Sequence, residues 1–168
     1  MFDTPNAKIG IITGAGSGIG KQTAISLAKQ GVKTFLIDSD STKGEKTAEH
    51  IVRNGGESFS HKADVSNPQQ MEKAIKKCIA VYGKVDIGVN SAGIAGARAL
   101  THTYNMNDWN KLIEINLTGV WISMKYQLAE MVANKSGTIV NISSIAGLVG
   151  LPNASAYVAA KHGVVGLT

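Results

Sequence analysis

Five short apolar runs, each followed by a helix-type pattern, limit the folds that this chain can adopt. The runs cover residues 8–13, 33–38, 58–63, 84–90 and 137–143. Apolar residues between them recur every three or four positions, which predicts helices over 18–29, 42–53, 68–82, 107–132 and from about 154 onward. Strands separated by helices pair in parallel through right-handed crossovers. The sequence therefore predicts a doubly wound, Rossmann-type α/β/α fold with one parallel sheet.

Two of the predicted helices begin with recognisable capping signals. Thr42 and Glu45 have capping-box spacing, which predicts Thr42 as the N-cap of a second helix that runs to about Arg53. Asn67 precedes a proline at the first helical position, and Gln70 follows three residues later. We expect Asn67 to cap the third helix.

Composition narrows the possible functions and locations. The 168 residues are 43% hydrophobic and 17% charged, which predicts a single globular domain over 1–168. Cys78 is the only cysteine, so an intramolecular disulfide is excluded, as is typical of a reducing compartment. The sequence has no signal-peptide pattern and no apolar run long enough to cross a bilayer, which predicts a cytoplasmic protein without a membrane partner. The net charge of +5 comes mostly from scattered lysines, so no nucleic-acid partner is predicted.

A glycine-rich turn joins the first strand to the first helix. Its glycines have the pattern GxxxGxG at Gly14, Gly18 and Gly20, with Ser17 and Ile19 between them. Glycines allow a pyrophosphate to approach the backbone, and the helix N-terminus attracts it with free N–H groups. We expect all five residues to contact a dinucleotide cofactor. A tight strand–helix turn with no ligand is the alternative interpretation.

Acidic and small residues end the next strands, at the sheet edge where such a cofactor would lie. Asp38 ends the second strand, where a carboxylate accepts hydrogen bonds from the adenosine ribose and repels a 2′-phosphate. This predicts NAD rather than NADP, although Asp38 could simply be an acid at a strand end. The other expected cofactor contacts end the third and fourth strands: Asp64, Val65, Asn90, Ala92 and Gly93.

A serine, a tyrosine and a lysine near the end of the chain form a candidate chemical site. Ser144 ends the fifth apolar run, Tyr157 follows thirteen residues later, and Lys161 follows after four more. Residues four apart lie on one face of a helix. An ammonium group near a tyrosine favours the phenolate, which can act as a base. Each residue alone could have only a structural role. No cluster of histidine, cysteine or acids has metal-ligand spacing, so no metal is predicted.

These motifs together resemble the short-chain dehydrogenase/reductase family over the whole chain. The matching residues are Thr13 to Gly20, Asp64-Val65, Asn90 to Gly93, Asn116, Ser144, Tyr157 and Lys161. The resemblance implies an NAD-dependent oxidoreductase that interconverts a secondary alcohol and a ketone, and a homodimer or homotetramer.

The resemblance also implies a role for each catalytic residue. Tyr157 would be the general acid/base, Lys161 would hold the nicotinamide ribose, and Ser144 would bind the substrate oxygen. Asn116 would position a water molecule that links Lys161 to solvent.

The chain departs from the family pattern at two residues and in its length. Ser91 replaces a second asparagine, and Gly88 replaces a large apolar residue, which is expected to loosen the fourth strand. The family continues with further strands after Thr168, so we expect a domain that is incomplete at its C-terminus and lacks the last strands of the second half. The alternative to an active enzyme is a non-catalytic fragment that binds nucleotide or associates with other chains.

Overall fold

A five-stranded parallel sheet forms the centre of the computed structural model, which describes residues 7–168. The strands are Ile9–Thr13 (β1), Lys33–Asp38 (β2), Ser58–Lys62 (β3), Ile87–Asn90 (β4) and Thr138–Asn141 (β5). Their order across the sheet is β3-β2-β1-β4-β5, and every neighbouring pair is parallel. The chain reverses its direction of winding at β1, as in a doubly wound fold. The predicted fold class is therefore confirmed.

In the described residues 7–168, six α-helices connect or follow the strands. They are Gly18–Lys29 (α1), Ser41–Arg53 (α2), Pro68–Tyr82 (α3), Met106–Ile113 (α4), Gly119–Ala133 (α5) and Ser155–Leu167 (α6). Short 3₁₀ segments cover Thr101–Thr103 and Ile145–Gly147. Within residues 7–168, no helix combines the length and apolar character needed to cross a bilayer.

Both faces of the sheet carry a hydrophobic core, because side chains alternate along each buried strand. In β2, Phe35 and Ile37 pack on the face that also holds Cys78 of α3. Leu36 points the opposite way and packs with Ile51 of α2. These two layers of helices hold the carboxyl ends of the strands in fixed positions.

The N-terminus of α2 differs from the predicted capping box, and that prediction was wrong. The helix begins at Ser41, and Asp40 Oδ1 accepts a hydrogen bond from Lys43 N at 3.2 Å. A carboxylate is an ionised acceptor, and it also interacts favourably with the positive end of the helix dipole. Asp40 therefore takes the capping position one residue before the helix. The cap predicted for α3 is confirmed, because Asn67 Oδ1 accepts from Gln70 N at 3.0 Å.

The long helix predicted over 107–132 is divided by a π-helical segment at Glu114–Thr118. A π segment inserts an extra residue into a helical turn and changes the direction of the side chains that follow. Apolar spacing does not report such an insertion, because α4 and α5 each retain helical periodicity. Asn116 lies in the middle of this segment.

Gly88 does not leave space in the fourth strand, contrary to the expectation from its small size. A Cβ atom at Gly88 would lie 2.6 Å from Gln127 Oε1, because the buried Gln127 side chain occupies that space. Gln127 Nε2 also donates to Asn90 Oδ1 at 3.1 Å. The carboxamide of α5 therefore fills the position that a larger residue of β4 would occupy.

Candidate active site

An open cleft of about 560 Å³ lies at the carboxyl ends of the strands. Parallel α/β sheets bind ligands at this edge, where the winding reverses. The cleft brings together residues from both ends of the sequence. The predicted site residues that line it are Gly14, Ser17, Gly18, Ile19, Asp38, Asp64, Val65, Ala92, Gly93, Asn116, Tyr157 and Lys161.

The glycines of the β1–α1 turn have different steric requirements. Gly14 has a φ of +65°, and a Cβ there would lie 2.8 Å from the Cα of Ala92. Gly18 has a φ of +51°, but a Cβ there would meet no heavy atom within 4 Å. A Cβ at Gly20 would collide with the Gly14 carbonyl oxygen, and Gly20 does not line the cleft. The lack of a side chain at Gly14 therefore lets the turn pack against Ala92, and at Gly20 it lets the start of α1 pack against Gly14. At Gly18 the space next to the backbone is open.

The N-terminus of α1 has the properties of a phosphate site. Ser17 is the N-cap residue, and its side chain makes no capping hydrogen bond. The first-turn N–H groups are therefore available to an anion, which the helix dipole also attracts. The residues of this turn fit the pyrophosphate of a dinucleotide.

Asp38 is held rigidly at one end of the cleft. Its Oδ2 accepts from Gly16 N at 2.8 Å, and its Oδ1 accepts from Asp40 N at 2.9 Å. The pKa of the neighbouring Asp40 is lowered, mainly by the hydrogen bond from the Lys43 backbone. Backbone N–H groups thus bind both oxygens of Asp38, and the Lys43 N–H binds Oδ1 of Asp40.

The loop after β4 is tied to β1 through Thr13, the first residue of the glycine motif, for which the sequence predicted no role of its own. Thr13 Oγ1 lies 3.2 Å from Ser91 N and 3.3 Å from Ala92 N, and accepts from both. Asn90, which we expected to contact the cofactor, does not line the cleft. Its side-chain Nδ2 donates to Asn141 Oδ1 at 2.8 Å and to Gln127 Oε1 at 3.2 Å. Asn90 therefore connects β4 to β5 and α5.

Tyr157 and Lys161 lie on the same face of α6 and both line the cleft. Lys161 Nζ is 5.7 Å from the centroid of the Tyr157 ring. The lysine is only 6% exposed, and its Nζ donates to the Ile142 carbonyl at 2.7 Å. Burial lowers the pKa of Lys161. The arrangement provides a phenol and a partly desolvated cation at one location.

Ser144 is half-buried and does not line the cleft, whereas its neighbour Ser143 does. Ser144 Oγ accepts from Ala146 N at 3.2 Å, as the N-cap of the 3₁₀ segment. That bond uses an oxygen lone pair, so the O–H group can still donate to a ligand. Ser143 Oγ donates to the Lys161 carbonyl at 3.0 Å and connects β5 to α6.

Asn116 is fully buried, and both polar groups of its side chain are engaged. Its Oδ1 accepts from Ile94 N at 2.8 Å, and its Nδ2 donates to Ile94 O at 2.8 Å. These two bonds anchor the loop after β4 to the π segment. A role for Asn116 in positioning water stays a prediction.

Several residues that line the cleft were not among the predicted site residues. Most follow directly on a predicted strand end or adjoin a predicted site residue, and this proximity was the only available signal. They are Ile37, Ser39, Ala63, Ser91, Ile94, Ala95, Ile115, Ile142 and Ser143.

Comparison with known proteins agrees with the fold. The chain is 42% identical over 168 residues to cyclohexanol dehydrogenase of Acinetobacter sp. (strain SE19), covering 100% of this chain and 67% of that protein. It is 38% identical to a 3-oxoacyl-[acyl-carrier-protein] reductase of Synechocystis sp., covering 96% and 66%. Its structure resembles NAD⁺-bound xylitol dehydrogenase with a TM-score of 0.95 and 32% identity, covering 99% and 64%. The chain thus spans about two thirds of the length of these relatives.

The family model described as short chain dehydrogenase matches residues 8–168, which is nearly the whole chain. That range contains the glycine turn, the five strands and the helix that carries Tyr157 and Lys161. The chain therefore belongs to the short-chain dehydrogenase/reductase family.

Proposed function

We propose that this chain forms the cofactor-binding and catalytic part of an NAD-dependent oxidoreductase that interconverts a secondary alcohol and a ketone. One observation carries the proposal: Tyr157 and Lys161 line the same cleft as the glycine turn and Asp38. A dinucleotide held on the turn would reach across the strand ends toward the tyrosine. The similarity to cyclohexanol dehydrogenase supports the same reaction type.

The chemistry requires a proton transfer that this chain's own residues can perform. Tyr157 would take the hydroxyl proton of an alcohol, or return it to a ketone oxygen, as the general acid/base. The Lys161 cation, close to the ring of Tyr157, would stabilise the phenolate. The Ser144 O–H would donate to the substrate oxygen and orient it. The bound cofactor would supply hydride exchange with the substrate carbon.

We propose NAD rather than NADP as the cofactor. The Gly14–Gly20 turn and the α1 N-terminus would hold the pyrophosphate, and Asp38 would accept from the ribose hydroxyls. The carboxylate of Asp38 is fixed by two backbone N–H groups, so a 2′-phosphate would meet a negative charge that cannot turn away. Tighter binding of NADPH than of NADH would contradict this choice.

We propose an apolar substrate because the segment after Ser144 presents large apolar side chains. Ile145 is 69% exposed, Leu148 is 72% exposed and Val149 is 49% exposed. A charged substrate would gain little from such a surface, whereas an alicyclic or long-chain alcohol would bury apolar area. Cyclohexanol is therefore a suitable first test compound.

Exposed apolar side chains on α5 bear on how this domain associates. We propose that residues 1–168 form one NAD-binding domain of a cytoplasmic homodimer or homotetramer. Exposed apolar residues on α5 support self-association: Trp121 is 49% exposed and Val132 is 72% exposed.

The decisive experiment measures NAD reduction by the 168-residue chain with a panel of secondary alcohols that includes cyclohexanol. We expect Tyr157→Phe to lower turnover by about 10²-fold or more, because the general acid/base is lost. NADH binding, measured by fluorescence, should change by less than about two-fold, because the substitution removes only an oxygen atom. Tyr126→Phe is the matched control, since Tyr126 packs against the core and does not line the cleft.

Equal turnover in Tyr157→Phe and in the unmodified chain would contradict the assigned acid/base. A folded chain that binds NADH but turns over no alcohol would instead favour the non-catalytic fragment. A folded chain that binds no NADH would contradict the dinucleotide site.

A further inference from the structure

A lysine that the sequence did not associate with the cofactor lies at the ribose end of the cleft. Lys43 is in the first turn of α2, and its Cβ would be 2.6 Å from a Cβ built on Gly16. The same hypothetical Cβ would lie 2.9 Å from Asp38 Oδ2. Gly16, Asp38 and Lys43 therefore form one tightly packed corner, in which only glycine fits between the other two side chains.

The ammonium group of Lys43 is paired with a carboxylate that can release it. Lys43 Nζ lies 3.2 Å from Asp40 Oδ2, and the side chains are 61% and 42% exposed. An exposed pair of this kind contributes little stability, because both ions remain solvated and the side chains move. A ligand phosphate, with more negative charge than a carboxylate, can therefore compete with Asp40 for the lysine.

Asp38 is fixed more firmly than Asp40, whose Oδ1 accepts from Lys43 N while its Oδ2 faces the lysine ammonium group. Backbone N–H groups of Gly16 and Asp40 hold the two oxygens of Asp38. With the ribose hydroxyls on Asp38, as proposed, a phosphate on the 2′-oxygen would lie beside this fixed negative charge. The corner thus contains the fixed negative charge of Asp38 and a lysine whose exposed pairing with Asp40 can exchange.

We propose that Lys43 is a second specificity-determining residue of this site, the cation that binds a 2′-phosphate once the charge of Asp38 is removed. This inference rests on the proposed dinucleotide site and concerns only its ribose end. It predicts that a single substitution at Asp38 admits NADP, because the compensating positive charge is already in place.

The test measures binding of NADH and NADPH, which differ only in the 2′-phosphate, by nicotinamide fluorescence and calorimetry. In Asp38→Asn, we expect the affinity for NADPH relative to NADH to rise by about ten-fold or more. In the double variant Asp38→Asn/Lys43→Met, that gain should be lost, because methionine keeps an apolar stem but has no charge. Asp38→Asn/Lys43→Arg should retain the gain.

Lys62 provides the matched control. It is paired with Asp38 in the register of β2 and β3, but it belongs to the neighbouring strand and does not pack against Gly16. Asp38→Asn/Lys62→Met should therefore keep the NADPH gain. Each variant is checked for folding by circular dichroism, and Asp38→Ser replaces Asp38→Asn if the latter does not fold.

Three results would overturn the inference. The gain could persist without Lys43, disappear with Lys62 instead, or not arise in folded Asp38 variants that still bind NADH. A failure of the unmodified folded chain to bind NADH would be a different result, because it would remove the proposed dinucleotide site and this inference with it.

Discussion

Individual residues in this protein acquire their properties from burial. Lys161 is the clearest case, because the helix places a cation where only 6% of it reaches solvent. Desolvation lowers the pKa of Lys161, and the hydrogen bond to the Ile142 carbonyl partly replaces the lost water. The cation is therefore held beside Tyr157 at some energetic cost, as is common for groups that serve a reaction.

The fully buried thiol of Cys78 is expected to make the free energy of unfolding depend on pH in alkaline solution. Burial raises the pKa of its thiol to about 12. In the unfolded chain the thiol ionises near its ordinary pKa of about 8.5, so the unfolded state binds fewer protons between these values. The stability contribution of the thiol is then complete below about pH 8.5, and it is lost as the pH rises toward 12.

We expect the free energy of unfolding to decrease more steeply with pH in the unmodified chain than in Cys78→Ala. The difference between the two slopes should be at most about 1.4 kcal/mol per pH unit, and it should come close to that limit above about pH 9. Urea unfolding from pH 7.5 to 10.5, with a reductant present, measures it. Parallel curves for the two proteins would contradict the prediction, because Tyr82, whose pKa burial also raises, is present in both.

At the scale of elements, pairs of residues on different elements determine how strands and helices fit. Gly88 of β4 and Gln127 of α5 are such a pair, since the buried carboxamide fills the space above the glycine. Gln127 also hydrogen-bonds to Asn90, which ends β4 beside the cleft. The two residues should therefore be energetically coupled.

A double-mutant cycle tests this coupling. We expect Gly88→Ala to lower the free energy of unfolding by about 1–3 kcal/mol, because its Cβ displaces a hydrogen-bonded buried side chain. In the Gln127→Ala background the same change should cost at least about 1 kcal/mol less. Chemical denaturation of the four proteins gives the coupling energy.

Gly150→Ala is the control for this cycle, because a Cβ there would meet nothing within 4 Å. It should change stability by about 0.5 kcal/mol or less. Additive effects of Gly88→Ala and Gln127→Ala would show that the carboxamide moves aside freely.

For the molecule as a whole, we expect the β5 edge of the sheet to contribute to association of the 168-residue chain. β5 is at one edge, and Val140 within it is 46% exposed. An apolar edge strand can pair with another chain through its free backbone groups. The net charge of +5 opposes association, but only weakly at physiological salt.

We expect Val140→Lys to reduce concentration-dependent self-association of the 168-residue chain, because a charge at a sheet edge disfavours strand pairing. Sedimentation velocity over a range of concentrations measures the effect. Val81→Lys is the matched control, since Val81 is 38% exposed but lies on α3, outside both edge strands β3 and β5. An equal reduction by both substitutions would assign the effect to net charge instead of the edge.

The sequence by itself determined the order of strands and helices, the fold class and most of the residues at the cleft. These features depend on local spacing: two-residue alternation, helical periodicity, a glycine turn, and Tyr157 four residues before Lys161. Parallel strands bring their carboxyl ends to one edge, so residues at strand ends, such as Asp38, could be assigned to a common cleft.

Only the tertiary structure decided contacts between residues far apart in the chain. It turned the side chain of Asn90 away from the cleft and brought Lys43 against Gly16. The cap of α2 at Asp40 and the π segment at Asn116 are local features, but apolar spacing did not reveal them. Local spacing determines which face of an element a side chain occupies, because that follows from backbone geometry alone. The partner that the side chain meets depends on how the elements pack, and close packing leaves few alternatives once they are in place.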